Sequence, residues 1–136
     1  MSFKSQIQQN ARLIFQLHQR IHKTFAHRDD NDQSRALWEN ACSEFHSKYS
    51  ELAFPGGTSD IRERLRAGDK GTIEYALDFI DVRPYFFRSG YMYKDFLRVL
   101  RNCPLSETQR KRYDHLKARY DEYREQRKTT EIDNAR

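Results

Sequence analysis

Residues 72–82 read TIEYALDFIDV. A helix turns by about 100° per residue, so the apolar residues of this stretch fall on two nearly opposite sides. One side holds Ile73, Ala76, Leu77 and Ile80, and the other holds Tyr75, Phe79 and Val82. A helix that is apolar on two sides needs neighbours on both, so the pattern predicts a central helix buried on two faces in an all-α bundle. The remaining edge, formed by Glu74, Asp78 and Asp81, is expected to face water.

Helical periodicity also dominates the rest of the chain, and no alternation is long enough to indicate a strand. Capping and breaking residues predict further helices over about 2–27, from Asp32 or Ser34 to about 52, from Thr58 or Ser59 to 67, over 91–102, and from the capping box Ser106 and Gln109 to about 128. The expected fold is one domain of five or six helices over residues 1–128, with a helical pair at 2–54 and C-terminal helices at 58–128. Residues 129–136 are expected to form a flexible tail. A short helical solenoid is the alternative architecture.

Aromatic and cationic residues are densest between Val82 and Lys94. Pro84 is expected to end the central helix, and Gly90 is expected to provide a left-handed cap. Continued helical phase places Phe86, Phe87 and Met92 on buried faces and Tyr93 on a boundary. The segment is therefore predicted to be mainly a corner between helices, with its exposed edge formed by Tyr85, Tyr91 and the flanking cations.

Length and composition favour one domain with an aromatic-rich core. A chain of 136 residues can bury a core without disulfides, and its 13% aromatic content argues against disorder. The two cysteines, Cys42 and Cys103, lack a paired or metal-binding spacing, and the N-terminal segment does not resemble a signal peptide. The longest apolar runs are shorter than the roughly 18 residues that span a bilayer. We therefore expect a cytoplasmic protein without a membrane segment.

Charge is unevenly distributed along the chain, whose formal net charge is +5. Residues 1–28 carry five cations and no acid, residues 29–60 carry seven acids and two cations, and residues 83–103 carry five cations and one acid. Such blocks either neutralise one another within the fold or form surfaces for anionic partners. Sequence alone leaves both interpretations open.

Few residues have a spacing that suggests catalysis. His18 and His22 lie one helical turn apart, where two imidazoles can reach one metal ion, but no third ligand or H-E-x-x-H pattern accompanies them. A metal-dependent enzyme using this pair is the lesser alternative. The sequence predicts no catalytic residue, metal or cofactor, so a non-enzymatic role is favoured while catalysis stays open.

A cationic stripe with tyrosines is the main predicted binding surface. Its residues are Arg83, Tyr85, Arg88, Tyr91, Lys94, Arg98 and Arg101. Arginine and aromatic residues are typical of interface anchors, which favours a small interaction or regulatory module that binds an acidic protein surface. The alternative is an RNA- or DNA-binding protein, because the same residues can contact phosphates and bases. A third interpretation assigns these residues no binding function. They then form a solvated face that pairs with the acidic edge of the central helix.

The last predicted helix carries a narrow seam of mostly tyrosine residues. These are Tyr113, Leu116, Tyr120 and Tyr123, spaced by three and four. The seam is expected either to pack on the domain or to form a homodimer contact or a contact with a partner's groove.

Overall fold

The computed structural model describes residues 2–135 and contains six α-helices in that range. They are α1 (Lys4–Phe25), α2 (Asp32–Ala53), α3 (Ile61–Arg66), α4 (Lys70–Val82), α5 (Ser89–Leu100) and α6 (Glu107–Ala135). No strand occurs in the described residues. The predicted all-α bundle is confirmed.

The central position of α4 is confirmed as well. Ile73 and Leu77 on one face and Tyr75 and Phe79 on the other are all buried. Aromatic rings from three other parts of the chain close around these residues. Phe3 and Phe54 lie 5.3 and 4.7 Å from the Tyr75 ring, and Phe96 lies 5.1 Å from the Phe79 ring. α4 therefore forms the axis on which α1, α5 and the α2–α3 connection pack.

The prediction that the acidic edge of α4 faces water is wrong for Asp78, which is only 4% exposed. Its carboxylate accepts hydrogen bonds from the Phe3 backbone N–H at 2.7 Å and from the Arg112 guanidinium at 2.5 Å. Asp81, on the same edge, forms salt bridges with Lys4 at 2.8 Å and Arg119 at 3.2 Å. Cations of α1 and α6 thus cover this edge, an arrangement that helical periodicity of α4 alone does not reveal.

Helices α1 and α2 form an antiparallel pair. Arg20 forms a salt bridge with Glu44, and farther along the pair the ring centroids of Phe25 and Trp38 lie 6.1 Å apart. The cap of α2 is Asn31, whose side chain accepts a hydrogen bond from the Ser34 N–H at 2.8 Å, and not Asp32 or Ser34 as predicted. Asn31 takes this role because it is the last residue with an extended backbone before the helix.

The ends of the shorter helices follow local capping signals in part. α3 begins at Ile61 after Asp60, slightly later than the predicted caps Thr58 and Ser59. α4 begins at Lys70, where the Asp69 carboxylate accepts a hydrogen bond from the Thr72 N–H at 3.0 Å. Capping residues in the sequence therefore located the start of each of these two helices to within a few residues.

The predicted capping box at the start of α6 is confirmed. The Ser106 N–H donates to Gln109 Oε1 at 3.0 Å, and the Gln109 N–H donates to Ser106 Oγ at 3.1 Å. The helix does not end near residue 128 but continues to Ala135, and its described side chains beyond Tyr120 are exposed. Flexibility of residues 129–136 stays a prediction.

The α4–α5 corner differs from the prediction in its backbone. Gly90 lies inside α5 without a positive φ, whereas Arg83 and Arg88 adopt left-handed conformations with φ of 50° and 69°. Phe87 is exposed and not buried as predicted, and Tyr93 is buried. Because α5 begins at Ser89, its helical phase is independent of α4 and the extrapolation past Pro84 fails.

The tyrosine seam of α6 packs mainly on its own domain. Tyr113 and Leu116 are buried, and the Tyr113 hydroxyl donates to the Leu97 carbonyl at 2.6 Å. Tyr120 packs against Tyr93 with ring centroids 5.5 Å apart, while Tyr123 stays partly exposed. A homodimer contact through this seam would need side chains that already pack within the domain.

Candidate functional site

Three of the seven predicted binding residues come together in a groove between α3 and α5. Arg88 precedes the first turn of α5, Tyr91 lies in that turn, and Arg98 follows seven residues later on the same helix face. We call this site the arginine groove. Its volume is about 380 Å³, and its lining residues are Tyr49, Thr58, Arg62, Arg88, Tyr91, Met92, Asp95 and Arg98.

A single carboxylate, Asp95, contacts two of the three arginines of the groove. Arg62 binds it with two parallel hydrogen bonds, from Nε at 3.0 Å and from Nη2 at 2.7 Å. Arg98 lies 3.5 Å from the same carboxylate. Hydrogen bonding to Asp95 and its negative charge raise the pKa of Arg62, so this guanidinium stays charged. One acid therefore holds two cations near the opening without neutralising both.

Tyr49 and Arg88 form the other end of the arginine groove. The Tyr49 hydroxyl donates to the Phe87 carbonyl at 2.7 Å, and burial raises the pKa of Tyr49, so this hydroxyl stays protonated at neutral pH. The Arg88 guanidinium lies 5.3 Å from the centre of the Phe87 ring. This hydrogen bond and this packing contact tie the corner to α2 and thereby position Arg88.

The other four predicted residues are spread over neighbouring surfaces. Lys94 on α5 and Arg101 directly after it are exposed but do not line the groove. Arg83 lies 4.6 Å from the ring centres of both Tyr93 and Tyr123, so it packs against α6. Tyr85, which is 83% exposed, lines a separate groove beside α1. The predicted stripe is thus not one continuous surface.

Sequence reasoning missed the contribution of α3. Arg62 lines the arginine groove, and Arg66 joins Arg62 and Arg98 in an adjoining depression of about 280 Å³. The available signal was the spacing of Arg62 and Arg66, which lie one turn apart and therefore share a helix face. Asp95 gave a second signal as the lone acid in a basic segment.

The structure also separates neutralised cations from free ones. Arg112, Arg119 and Lys4 are paired with the acidic edge of α4. In contrast, Arg66 and Arg88 form no salt bridge with any described residue. Two arginines without a salt bridge therefore lie in the arginine groove or in the depression beside it.

The histidine pair does not form a metal centre with other side chains. The His18 and His22 rings lie 4.7 Å apart, and His18 also packs against Phe45 and Phe87. Among the described residues, no three His, Cys, Asp or Glu side chains are grouped so as to hold a metal ion. The metal-dependent alternative has no support from this geometry.

Cys103 is buried, and its thiol donates to the Val99 carbonyl at 3.1 Å. Burial raises the pKa of Cys103, which disfavours the reactive thiolate. This cysteine is a core residue and is not placed as a nucleophile.

Comparisons with protein-family models, curated proteins and solved structures found no match to this chain. Within residues 2–135, none of the helices combines the length and apolar character needed to cross a bilayer.

Proposed function

We propose that this chain is a non-enzymatic interaction module that binds an acidic segment of a protein partner in the arginine groove. The observation that carries the proposal is that Arg62, Arg88 and Arg98 line one groove whose single acid, Asp95, contacts only Arg62 and Arg98. Guanidinium groups bind carboxylates through paired hydrogen bonds, and three of them exceed what one internal acid can satisfy. An incoming Glu or Asp side chain would use the remaining donors.

Tyr91 and Met92 support a protein ligand. Tyr91 is 79% exposed at the groove edge, and Met92 contributes an apolar lining. Tyrosine, methionine and arginine are enriched at protein interfaces because they combine large contact area with directional polar groups. Asp95 also restrains Arg62 before binding, which reduces the entropy lost when a ligand is bound.

The proposed place of action is the cytoplasm. Cys42 and Cys103 are free thiols, which supports a reducing compartment.

We predict that replacing Arg88→Glu and Arg98→Glu together weakens binding of a glutamate- and tyrosine-containing peptide by about tenfold or more. Arg88 forms no salt bridge with the described residues, and Asp95 keeps its salt bridge with Arg62 when Arg98 is changed. The fold should therefore persist. Fluorescence anisotropy of the labelled peptide measures the affinity. A peptide with glutamine in place of glutamate should bind weakly.

The matched control is Arg124→Glu with Lys128→Glu, which changes the net charge equally on an exposed part of α6. This control should retain the affinity of the unaltered chain. Equal losses in both double variants would show that only overall charge matters and would contradict a specific groove.

Nucleic-acid binding is the second candidate, favoured by the exposed ring of Tyr91 beside Arg88 and Arg98. Exposed aromatic rings next to cations can stack on bases of a single strand. The same two double variants distinguish this candidate when the labelled peptide is replaced by single-stranded RNA. If RNA binds more tightly than the acidic peptide and depends on Arg88 and Arg98, nucleic-acid binding replaces the proposed function.

A further inference from the structure

The depression beside the arginine groove lies where α3 and α5 end. Its volume is about 280 Å³, and its lining residues are Arg62, Arg66, Asp95, Arg98, Val99 and Asn102. Arg66 lines this depression and does not line the arginine groove, so we call it the Arg66 depression. Arg62, Asp95 and Arg98 line both cavities. The two cavities are therefore neighbours that share part of their lining.

The packing of α3 beside α5 brings these side chains together. The two helices run in the same direction, because Arg62 contacts Asp95 and, farther along, Gly68 after α3 lies beside Pro104 after α5. Arg66 lies one turn after Arg62 and therefore on the same side of α3. This side faces the last turns of α5 and forms the depression with them.

The Arg66 depression offers more hydrogen-bond donors than its own acid can use. Arg62 binds Asp95 through Nε and Nη2, which leaves its other guanidinium hydrogens free. Arg98 lies 3.5 Å from that carboxylate, and its side chain is 75% exposed. Arg66 forms no salt bridge with the residues that the structure describes. Together the two cavities contain four arginines and one acid, which leaves a formal charge of +3.

Partial negative charge at the end of α5 is offset by Arg110. Its guanidinium donates to the carbonyls of Arg101 and Cys103 at 3.3 and 3.2 Å. A basic side chain that binds the last carbonyls of a helix opposes the negative end of the helix dipole. Burial raises the pKa of Cys103, and the charges of Arg66 and Arg110 oppose this rise, so both guanidiniums lie near this thiol. Arg110 therefore adds a further cation close to the depression.

From this excess of donors over acids we infer that the Arg66 depression binds the phosphate of a phosphorylated serine or threonine in the partner. The inference rests on the proposed function, because the same partner segment places a glutamate in the arginine groove. A phosphate carries a charge of about −2 and three acceptor oxygens, and guanidiniums bind it through paired hydrogen bonds. One phosphate and one glutamate together balance the formal charge of +3 in the two cavities.

The distance between the cavities determines the spacing within the ligand. On α5 the arginine groove is lined within residues 88–98, and the depression is lined within residues 95–102. The midpoints of these ranges lie ~8 Å apart along the helix. An extended peptide rises about 3.3 Å per residue, so the phosphorylated residue lies about two or three positions from the glutamate. Among the described residues that line the depression Val99 is the one apolar side chain, which favours phosphoserine or phosphothreonine over the larger ring of phosphotyrosine.

The test compares two labelled peptides that differ at one residue, which is serine in the first and phosphoserine in the second. Both peptides contain a tyrosine and carry glutamates three positions before and three positions after that residue. Fluorescence anisotropy measures their affinities. We expect the phosphoserine peptide to bind the unaltered chain at least about tenfold more tightly than the serine peptide, because each hydrogen bond to phosphate is charge-assisted.

Two single variants separate the depression from the groove. Arg66→Gln should reduce the gain from phosphorylation to about twofold, while the serine peptide keeps its affinity within about twofold because Arg66 lies outside the arginine groove. Arg66 is exposed, so circular dichroism should show an intact fold. Arg88→Gln should weaken both peptides alike and leave the gain unchanged, because Arg88 lines the arginine groove and not the depression.

The matched control is Arg124→Gln, which removes the same charge from an exposed part of α6 and should change neither affinity. Equal affinities of the two peptides for the unaltered chain would overturn the phosphate site and leave the proposed function standing. Failure of both peptides to bind would overturn the proposed function as well. A gain that survives Arg66→Gln, or that Arg124→Gln reduces equally, would show that the depression does not hold the phosphate.

Single-stranded RNA provides the last arm of the test. Unlabelled RNA should displace the phosphoserine peptide only at a higher concentration than the unlabelled phosphoserine peptide does. If RNA displaces it at a lower concentration and Arg66→Gln weakens the RNA, the depression binds nucleic-acid phosphates and the inference is wrong.

Discussion

His18 shows how packing changes the chemistry of one residue. Its ring centroid lies 5.5 Å from that of Phe45 and 5.1 Å from that of Phe87, so it connects α1 to α2 and to the corner before α5. Burial lowers the pKa of His18 from its ordinary value of 6.5, and the nearby His22 lowers it further. The folded protein therefore prefers neutral His18.

This preference predicts a specific loss of stability in acid. The unfolded chain binds a proton at His18 at a higher pH than the folded chain does. The contribution of neutral His18 to the free energy of unfolding is therefore complete above pH 6.5 and is lost as pH falls through the lowered pKa. We expect His18→Phe, which keeps an aromatic ring between Phe45 and Phe87, to make the free energy of unfolding less dependent on pH between about 5 and about 7. Urea unfolding at several pH values measures this dependence.

Exposed His115 provides the control for that prediction. His115→Gln should leave the pH dependence of unfolding close to that of the unaltered chain. If His18→Phe also leaves it unchanged, His18 is not the group responsible.

Asp78 shows what periodicity can and cannot predict for one residue. The pattern of α4 correctly separated its two apolar faces and identified Glu74, Asp78 and Asp81 as one edge. It did not predict that Arg112, 34 residues away in sequence, would bind Asp78. Burial of that carboxylate depends on α6 crossing the edge, and the sequence of α4 carries no information about that crossing.

At the level of elements, the α4–α5 corner depends on two non-glycine residues with positive φ. Left-handed backbone costs roughly 1 kcal/mol for such a residue. At Arg83 the packing of its guanidinium on Tyr93 and Tyr123 offsets this cost. The corner is therefore maintained by side-chain contacts with α2, α5 and α6 and not by glycine.

Gly90 consequently behaves as a helix residue. We expect Gly90→Ala to stabilise the fold by about 0.5 kcal/mol, because alanine has the higher helix propensity and an added Cβ meets no atom within 4 Å. Chemical denaturation gives the difference in the free energy of unfolding. Destabilisation by this variant would support the left-handed cap that the sequence suggested.

Gly68→Ala is the opposite case and serves as the control. Gly68 has a φ of +79°, and an added Cβ would lie 3.0 Å from Pro104 Cγ. This variant should destabilise the fold.

The contrast between the α6 capping box and the corner explains the limits of prediction at this scale. Ser106 and Gln109 bind each other across one turn, so the signal and its result lie within four residues. The conformations of Arg83 and Arg88 depend on side chains of α6 and α2, which lie far away in sequence. Local signals therefore located the helices better than the corner between them.

In the whole molecule, the distribution of charge pairs determines which surface is free. The acidic edge of α4 is paired with Lys4, Arg112 and Arg119. The lining of the arginine groove, in contrast, contains three arginines and one acid. The sequence predicted Arg88, Tyr91 and Arg98 as binding residues but could not predict that Arg62 would join them. Arg62 reaches the site only because α3 packs beside α5, with its guanidinium on Asp95.

The far half of α6 should contribute little to stability. Among the α6 side chains that the structure describes, the buried ones are Gln109, Tyr113 and Leu116, all in the first three turns, and residues 129–132 are exposed. We expect a chain ending at Lys128 to change the free energy of unfolding by less than about 0.5 kcal/mol. Thermal and urea unfolding measure this difference.

Leu116→Ala is the control for that truncation and should cost about 3 kcal/mol, because it removes a buried side chain from the core. A large loss of stability in the truncated chain would show that residues 129–136 pack on the domain and are not a flexible tail.

The acidic edge of α4 has a consequence for the order in which the protein can fold during synthesis. Contacts of the α1–α2 pair lie within residues 4–53, so this pair can form as soon as those residues have left the ribosome. The Phe3 N–H and Lys4 must wait for Asp78 and Asp81, and these carboxylates are fully paired only after Arg112 and Arg119 emerge. The first residues to be translated are thus among the last to form their final contacts.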